Sequence, residues 1–342
     1  MVLETGQERS LMMIRLERVT WLTGKALRIM TLLFALCVIS FVLLSYSPID
    51  PVQAYVGADM MRVSSQQREQ ISEYWGLNKP PLERFVRWGR ALIHGDLGVS
   101  MIFRSPVRDV IKDRFAASLA LMAAAWFFSG IIGFVMGVTA GMNQGRWLDR
   151  ILKWYCLTLA STPTFWLGLL LVMVFSVWLG WFPVGLGVPA GQLSEDVTIW
   201  NRVNHLILPA LTLSIIGVAN IALHTRQKLI DVLKSDYILF ARAKGKHGVQ
   251  LLWQHGLRNI MLPAITLQFA SFSELFGGSV LAEQVFSYPG LGNATVQAGL
   301  RGDLPLLLGI VLFSALFVFS GNLMADLIYL VVDPRITEAT TL

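Results

Sequence analysis

The chain is predicted to be an all-α integral membrane protein, and three observations carry that prediction. Of 342 residues, 54% are hydrophobic and only 15% charged, against roughly a quarter charged in soluble domains. The apolar residues fall in long blocks, six of which approach or exceed the ~20 residues that span a hydrocarbon core. The basic residues lie unevenly between those blocks. β-Barrel strands read as short alternating segments, so continuous apolar blocks point to helices.

The predicted spans are Ile29–Tyr46, Phe115–Gly141, Trp154–Phe182, Leu206–Leu223, Pro263–Ala282 and Pro305–Val332. The first four lack Asp, Glu, Lys and Arg; the fifth carries Glu274 and the sixth Asp326. With the N-terminus inside, segments 1–28, 142–153, 225–262 and the tail after 332 face the cytoplasm. Their basic residues include Arg15, Arg18, Arg150, Lys153, Arg226 and Lys244, whereas the two short opposite loops carry only Arg202 and Arg301. The positive-inside bias therefore predicts that both termini are cytoplasmic. This distribution, rather than the net charge of +6, governs the partner expected: a lipid bilayer and no nucleic acid. Cys37 and Cys156 both fall within spans and read as packing residues. The first apolar run is longer than a signal-peptide core and lacks a small-residue cleavage site directly after it, so an uncleaved span is expected.

The chain accordingly divides into a cytoplasmic N-terminal segment (1–28), a first span (29–46) and an external domain (47–114). A five-span core (115–332) and a cytoplasmic tail (333–342) follow. Ser47–Pro48–Ile49–Asp50–Pro51 closes the first span. The external segment holds a polar helical stretch (Ser64–Tyr74), a turn through Lys79–Pro80–Pro81 and an amphipathic stretch (Leu82–Ile93). It then reaches Gly95–Asp96–Leu97–Gly98. In the second span, Gly133, Gly137 and Gly141 recur at a spacing that lets two helix backbones approach closely. In the third, Pro163 within Ser161–Thr162–Pro163–Thr164 predicts a bend, either static or a hinge.

The loop at 224–262 combines helix-forming segments with Gly245 and Gly248, and seven basic residues with Asp231 and Asp236. By composition it is either a helix–turn–helix that plugs into another protein or a segment that binds anionic lipid. Tyr237-Ile-Leu-Phe-Ala-Arg-Ala-Lys-Gly245, His255-Gly-Leu-Arg-Asn259 and Leu262–Pro263 then change the balance. They resemble the cytoplasmic coupling motif of ABC-importer permeases, in the version of the dipeptide/oligopeptide/nickel permease family. Gly95–Ser100, PTFWLGLL from Pro163, EQVFSYPGLG from Glu283 and Asp333–Pro334–Arg335 extend the resemblance over nearly the whole chain. One departure stands. The general motif opens with an acidic residue and two alanines, whereas Leu239, Phe240 and Ala241 stand here, so only Ala241 and Gly245 match.

The resemblance implies six transmembrane helices of the type I ABC importer kind, with a small external domain between the first two. It implies three partners: a second homologous permease, cytoplasmic ATP-binding subunits and an extracytoplasmic solute-binding protein. The ATPase-coupling residues it marks are Asp236, Tyr237, Ala241, Arg242, Ala243, Lys244, Gly245, Leu251 and His255. No phosphate-binding G-x-x-x-x-G-K-[ST] loop is present, so ATP and Mg are expected on the partner subunits and no cofactor on this chain. Peptide uptake is the expected function, with a nickel or metal-chelate importer as the alternative. An ion-coupled carrier fits less well, since such carriers show internal repeats and mid-membrane ionisable groups. No catalytic cluster is present, so no enzymatic activity is expected.

Gln268, Ser271, Glu274 and Gly278 occupy about 120° of one face if the fifth span is one straight helix. An intramembrane carboxylate defaults to a functional reading, and two readings stand. Either this face lines the solute pathway and Glu274 meets a cationic group, or Glu274 is protonated or hydrogen-bonded at an interface between permeases. His94, His205, His224, His247 and His255 form no metal-ligand spacing, so no metal site is expected.

Overall fold

The computed structural model describes residues 23–24, 27–43, 45–46, 52, 56, 64–74, 77–192 and 197–332, with backbone alone at 74, 249 and 325–332. Most of the N-terminal segment, the 47–51 exit and the Asp333–Arg335 ending lie outside the described residues. Every described element is helical, apart from an isolated antiparallel bridge between Val99 and Pro106. Two compact units are formed, one by Met1–Arg108 with Ala298–Phe319, the other by Asp109–Gln297 with Ser320–Leu342.

In the first unit, α1 (Leu27–Leu43) is a short apolar helix. α2 (Ser65–Tyr74) is polar, and α3 (Pro81–Ile93) begins with a proline in its first turn, where the missing N–H costs nothing. The apolar side of α3 packs on α1 through Phe41, Phe85, Trp88 and Cys37, together with Leu304 and Leu308. After α3 the chain turns twice through left-handed glycines, Gly95 (φ 79°) and Gly98 (φ 85°). The resulting loop is pinned by the fully buried Asp303. Its carboxylate accepts from Ser100 Oγ at 2.6 Å, Ile102 N at 3.0 Å and Leu306 N at 3.2 Å. The last of these caps the helix that starts at Leu304, answering an otherwise orphaned amide.

In the second unit the central pair is α4 (Val107–Met142, whose first two residues belong to the other unit) and α7 (Ile199–Leu233). α4 meets α7 along its glycine stripe. A Cβ on Gly133 would lie 2.8 Å from Ile221 Cβ, on Gly137 2.6 Å from Ala222 O, and on Gly141 2.9 Å from Leu229 Cδ2. The small residues therefore set the interhelical distance. α5 (Trp147–Ala160) packs on α7 through Cys156, Leu159, Ala219 and Ala222. The α5–α7 contact also holds a bidentate ion pair, Arg226 Nε to Asp149 Oδ1 at 2.5 Å and Nη2 to Oδ2 at 2.8 Å.

The third predicted span is not one continuous helix. α5 ends at Ala160, and α6 (Thr164–Leu171) continues through a π-helical turn to Trp178, with an angle of 106° between the two arms. Pro163 cannot continue an amide ladder and disfavours helical backbone at Thr162. The local hydroxyls bond back instead, Thr162 Oγ1 to Thr158 O and Ser161 Oγ to Leu157 O. The fifth span is also broken. α10 (Leu257–Ala270) and α11 (Phe272–Val285) meet at Ser271 with a 48° bend. Between α7 and α10 lie α8 (Asp236–Ala243) and α9 (Gly248–Leu251), the latter running into a π-helical turn, Leu252–Gly256. α12 (Leu291–Arg301) and α13 (Leu304–Val332) complete the chain. Among the described residues, three helices are long and apolar enough to cross a membrane, or up to five if each bent pair is one span.

Candidate functional site

Four devices shape the 224–262 loop. Asp236 sits in the first turn of α8, where a negative charge complements the helix dipole. α8 ends where Gly245, at φ 83°, takes the left-handed conformation. Its N–H donates to Arg242 O at 2.9 Å and that of Lys246 to Ala241 O at 3.2 Å, the two bonds of a Schellman ending that glycine alone adopts without strain. Below the loop, Ile238, Ala241, Leu251 and Leu252 are buried with Leu229, Val232 and Ile260. Side-chain bonds close it: Asn259 Nδ2 donates to Tyr237 Oη at 2.8 Å and to His255 O at 3.0 Å.

The predicted coupling residues therefore divide in two. Ala241 and Leu251 are buried, and Tyr237 and His255 tie the loop to α10. Asp236, Arg242, Ala243, Lys244 and Gly245 are exposed. Two further residues, which the motif did not mark, dominate the outer surface: Phe240 is 64% and Trp253 68% exposed. Lys244 Nζ lies 4.4 Å from the Phe240 ring centroid, within cation–π range. For Phe240 helical spacing was the available signal, because residues 237, 240 and 244 recur at i, i+3 and i+7 along α8 and its C-cap.

The predicted pathway residues are not carried on one straight face. Gln268 is buried, with Nε2 donating to Trp126 O at 2.6 Å and Ser129 Oγ at 3.3 Å. Trp126 Nε1 returns a bond to Gln268 O at 2.9 Å. Ser271 stands at the bend and donates to Gln268 O. Beyond the bend, Glu274 is exposed, and Gly278 lies against Leu213. The 48° break separates Gln268 from Glu274, so the arc drawn on an unbroken helix does not hold.

A different carboxylate is buried. Glu283 is fully enclosed; Oε1 accepts from Ser118 Oγ at 2.6 Å and Oε2 from Asn293 N at 3.0 Å. Ser118 Oγ in turn accepts from Leu291 N at 2.7 Å. Glu283 thus caps the amino end of α12, where the backbone amides and the dipole favour an acceptor. Gly290 crosses so close that a Cβ there would collide with the Glu283 carboxyl group. Nearby, Leu186 N donates to Phe286 O at 2.8 Å, and His205 Nδ1 to Gly185 O at 2.9 Å. These contacts knit the 183–187 and 286–292 loops into one knot. Among the described residues no group of three or more His, Cys, Asp or Glu is placed to hold a metal ion.

Comparison with known proteins finds relatives over most of the chain. Residues 129–338 match the family described as binding-protein-dependent transport system inner membrane component. The chain is 36% identical over 317 residues to the oligopeptide transport system permease protein AppB of Bacillus subtilis, covering 92% of this chain and 98% of that protein. It is 36% identical over 305 residues to the glutathione transport system permease protein GsiC of Escherichia coli O6:H1, covering 89% and 94%. An inner-membrane, multi-pass transport component accounts for the long apolar helices, and these relatives are transport-system permeases rather than enzymes. The resemblance seen in the loop at 237–263 thus holds over most of the chain, which belongs to the family of binding-protein-dependent transport system inner-membrane components.

Proposed function

We propose that the chain is the membrane-spanning permease subunit of an ATP-driven importer of short peptides, with six spans and both termini in the cytoplasm. The observation that carries this reading is the 236–256 loop. Its inner side is keyed by Ile238, Ala241, Leu251 and Leu252 onto α7 and α10, while Phe240 and Trp253 stand out into solvent. An ATPase subunit receives that outer surface. Closure of the ATPase pair moves the loop, and the buried core passes the displacement to both helices. Only a partner that binds the two states differently shifts their balance, so the energy enters through this contact.

A second permease completes the pathway, and a solute-binding protein delivers the cargo. The names of AppB and GsiC support oligopeptides or glutathione, itself a tripeptide, as the solute class. They lend nothing to the nickel alternative. Glu274, exposed on α11, is retained as a residue facing the pathway or the second permease; unchanged uptake by Glu274→Gln removes the pathway role. The test of the whole reading is co-purification. An ATPase subunit recovered with the wild-type chain is lost when Phe240 and Trp253 are both replaced by Asp. Equal recovery with that folded variant overturns the assignment.

A further inference from the structure

A cavity of about 390 Å³ opens between the end of α7 and α10, along α10 from Ile260 to Ala270, within the ~300–1,000 Å³ range of small-ligand pockets. Its two walls differ in chemistry. On α7, His224, Gln227, Lys228 and Asp231 line it, at the i, i+3, i+4, i+7 positions of one helix face. On α10 the wall is mainly apolar, with Ile260, Pro263 and Leu267 among its residues.

The polar wall carries both signs of charge. Gln227 Nε2 donates to Asp231 Oδ1 at 3.1 Å and orients that carboxylate. Lys228 has no carboxylate partner among the described residues. Thr225, which also borders the cavity, is buried with its side chain beside Gly137 of α4.

We infer that this cleft is a solute-holding station on the cytoplasmic side of the pathway for a short zwitterionic peptide. Asp231 takes the ammonium end, Lys228 the carboxylate end, and the α10 wall the side chains. The inference rests on the peptide-import reading above and adds a place for the cargo. The cleft is also tied to the drive. Ile260 lines it and belongs to the same buried core as Ile238, Ala241 and Leu251, so movement of the 236–256 loop alters the width of the cleft.

The test uses the assembled complex in proteoliposomes with the cytoplasmic side accessible, carrying Ala264→Cys or, should that variant fail to assemble, Thr266→Cys. Both positions line the cleft, and the two native cysteines are buried. Trialanine at about ten times its Kd slows maleimide labelling about tenfold, and Asp231→Asn or Lys228→Gln removes the protection. End-blocked N-acetyl-trialanine amide does not protect. The inference fails if trialanine has no effect, if the blocked peptide protects equally, or if neither cysteine is labelled because a second subunit fills the cleft. ATP-dependent uptake is measured on the same vesicles. Uptake without protection overturns the station alone, whereas protection without uptake of any peptide overturns the import reading.

Discussion

Gly137→Ala tests whether the contact between α4 and α7 is set by backbone approach. The added methyl would lie 2.6 Å from both Ala222 O and Thr225 Cβ, whereas carbon atoms pack favourably at about 3.5–4.0 Å. Ala222 O is backbone and cannot rotate away, so the helices must separate by about 1 Å at this level. Overpacking of this kind costs about 1–3 kcal/mol. The same separation loosens Gly133 against Ile221 and Gly141 against Leu229, which share the stripe. The assay is thermal denaturation of the purified protein in detergent, beside Gly89→Ala, where a Cβ meets nothing within 4 Å. In that half-buried helical position alanine is stabilising by about 0.5–1 kcal/mol. A Gly137→Ala protein as stable as wild type refutes the argument that this stripe fixes the distance.

Three further outcomes follow from single sites. Asp149→Asn, which removes the partner of the part-buried Arg226, destabilises by about 1–3 kcal/mol, and the double variant Asp149→Asn, Arg226→Gln recovers part of the loss; a double-mutant cycle measures it. Burial pushes the Asp303 carboxyl above the usual carboxylate range, against the pull of its Ser100, Ile102 and Leu306 donors. A raised folded-state pKa means that this contribution to stability is full below the unfolded value of about 3.9 and fades as pH rises through the folded value. The stability advantage of wild type over Asp303→Asn, read from melting curves between pH 4 and 8, therefore shrinks with rising pH; a constant difference contradicts it. Ile238→Ala, at a fully buried position, costs about 2–5 kcal/mol, while Phe240→Ala on the exposed side leaves the melting temperature within error of wild type.

The glycine stripe was legible because its four-residue spacing is itself the physical cause of close packing. The break at Pro163 was legible as a bend, but its 106° depends on how α5 and α6 each find their own packing partners. Gly245 was readable as a helix stop, and the Schellman bonds supply the reason. The carboxylates were harder. Glu274 drew attention by lying inside an apolar block, whereas Glu283 fell one residue past the predicted end of the fifth span at Ala282. What makes Glu283 structural is Ser118, 165 positions away, and the amino end of α12, neither visible in local pattern. The break at Ser271 has no proline or glycine at the joint. It goes with the clasp between Gln268 and Trp126, a tertiary contact that periodicity does not encode. Phe240 passed unmarked although its spacing from Tyr237 and Lys244 was available, and Trp253 because the outward side of its turn shows only once the core is placed.

On the proposed function, this chain transmits work done by another subunit through the 236–256 loop. The direct measurement is uptake of a labelled short peptide by proteoliposomes holding the complete complex, with and without ATP. Wild type is predicted to accumulate peptide only with ATP, and the folded Phe240→Asp, Trp253→Asp double variant to accumulate none. Accumulation by this chain alone, driven by an ion gradient and indifferent to ATP, would contradict the account.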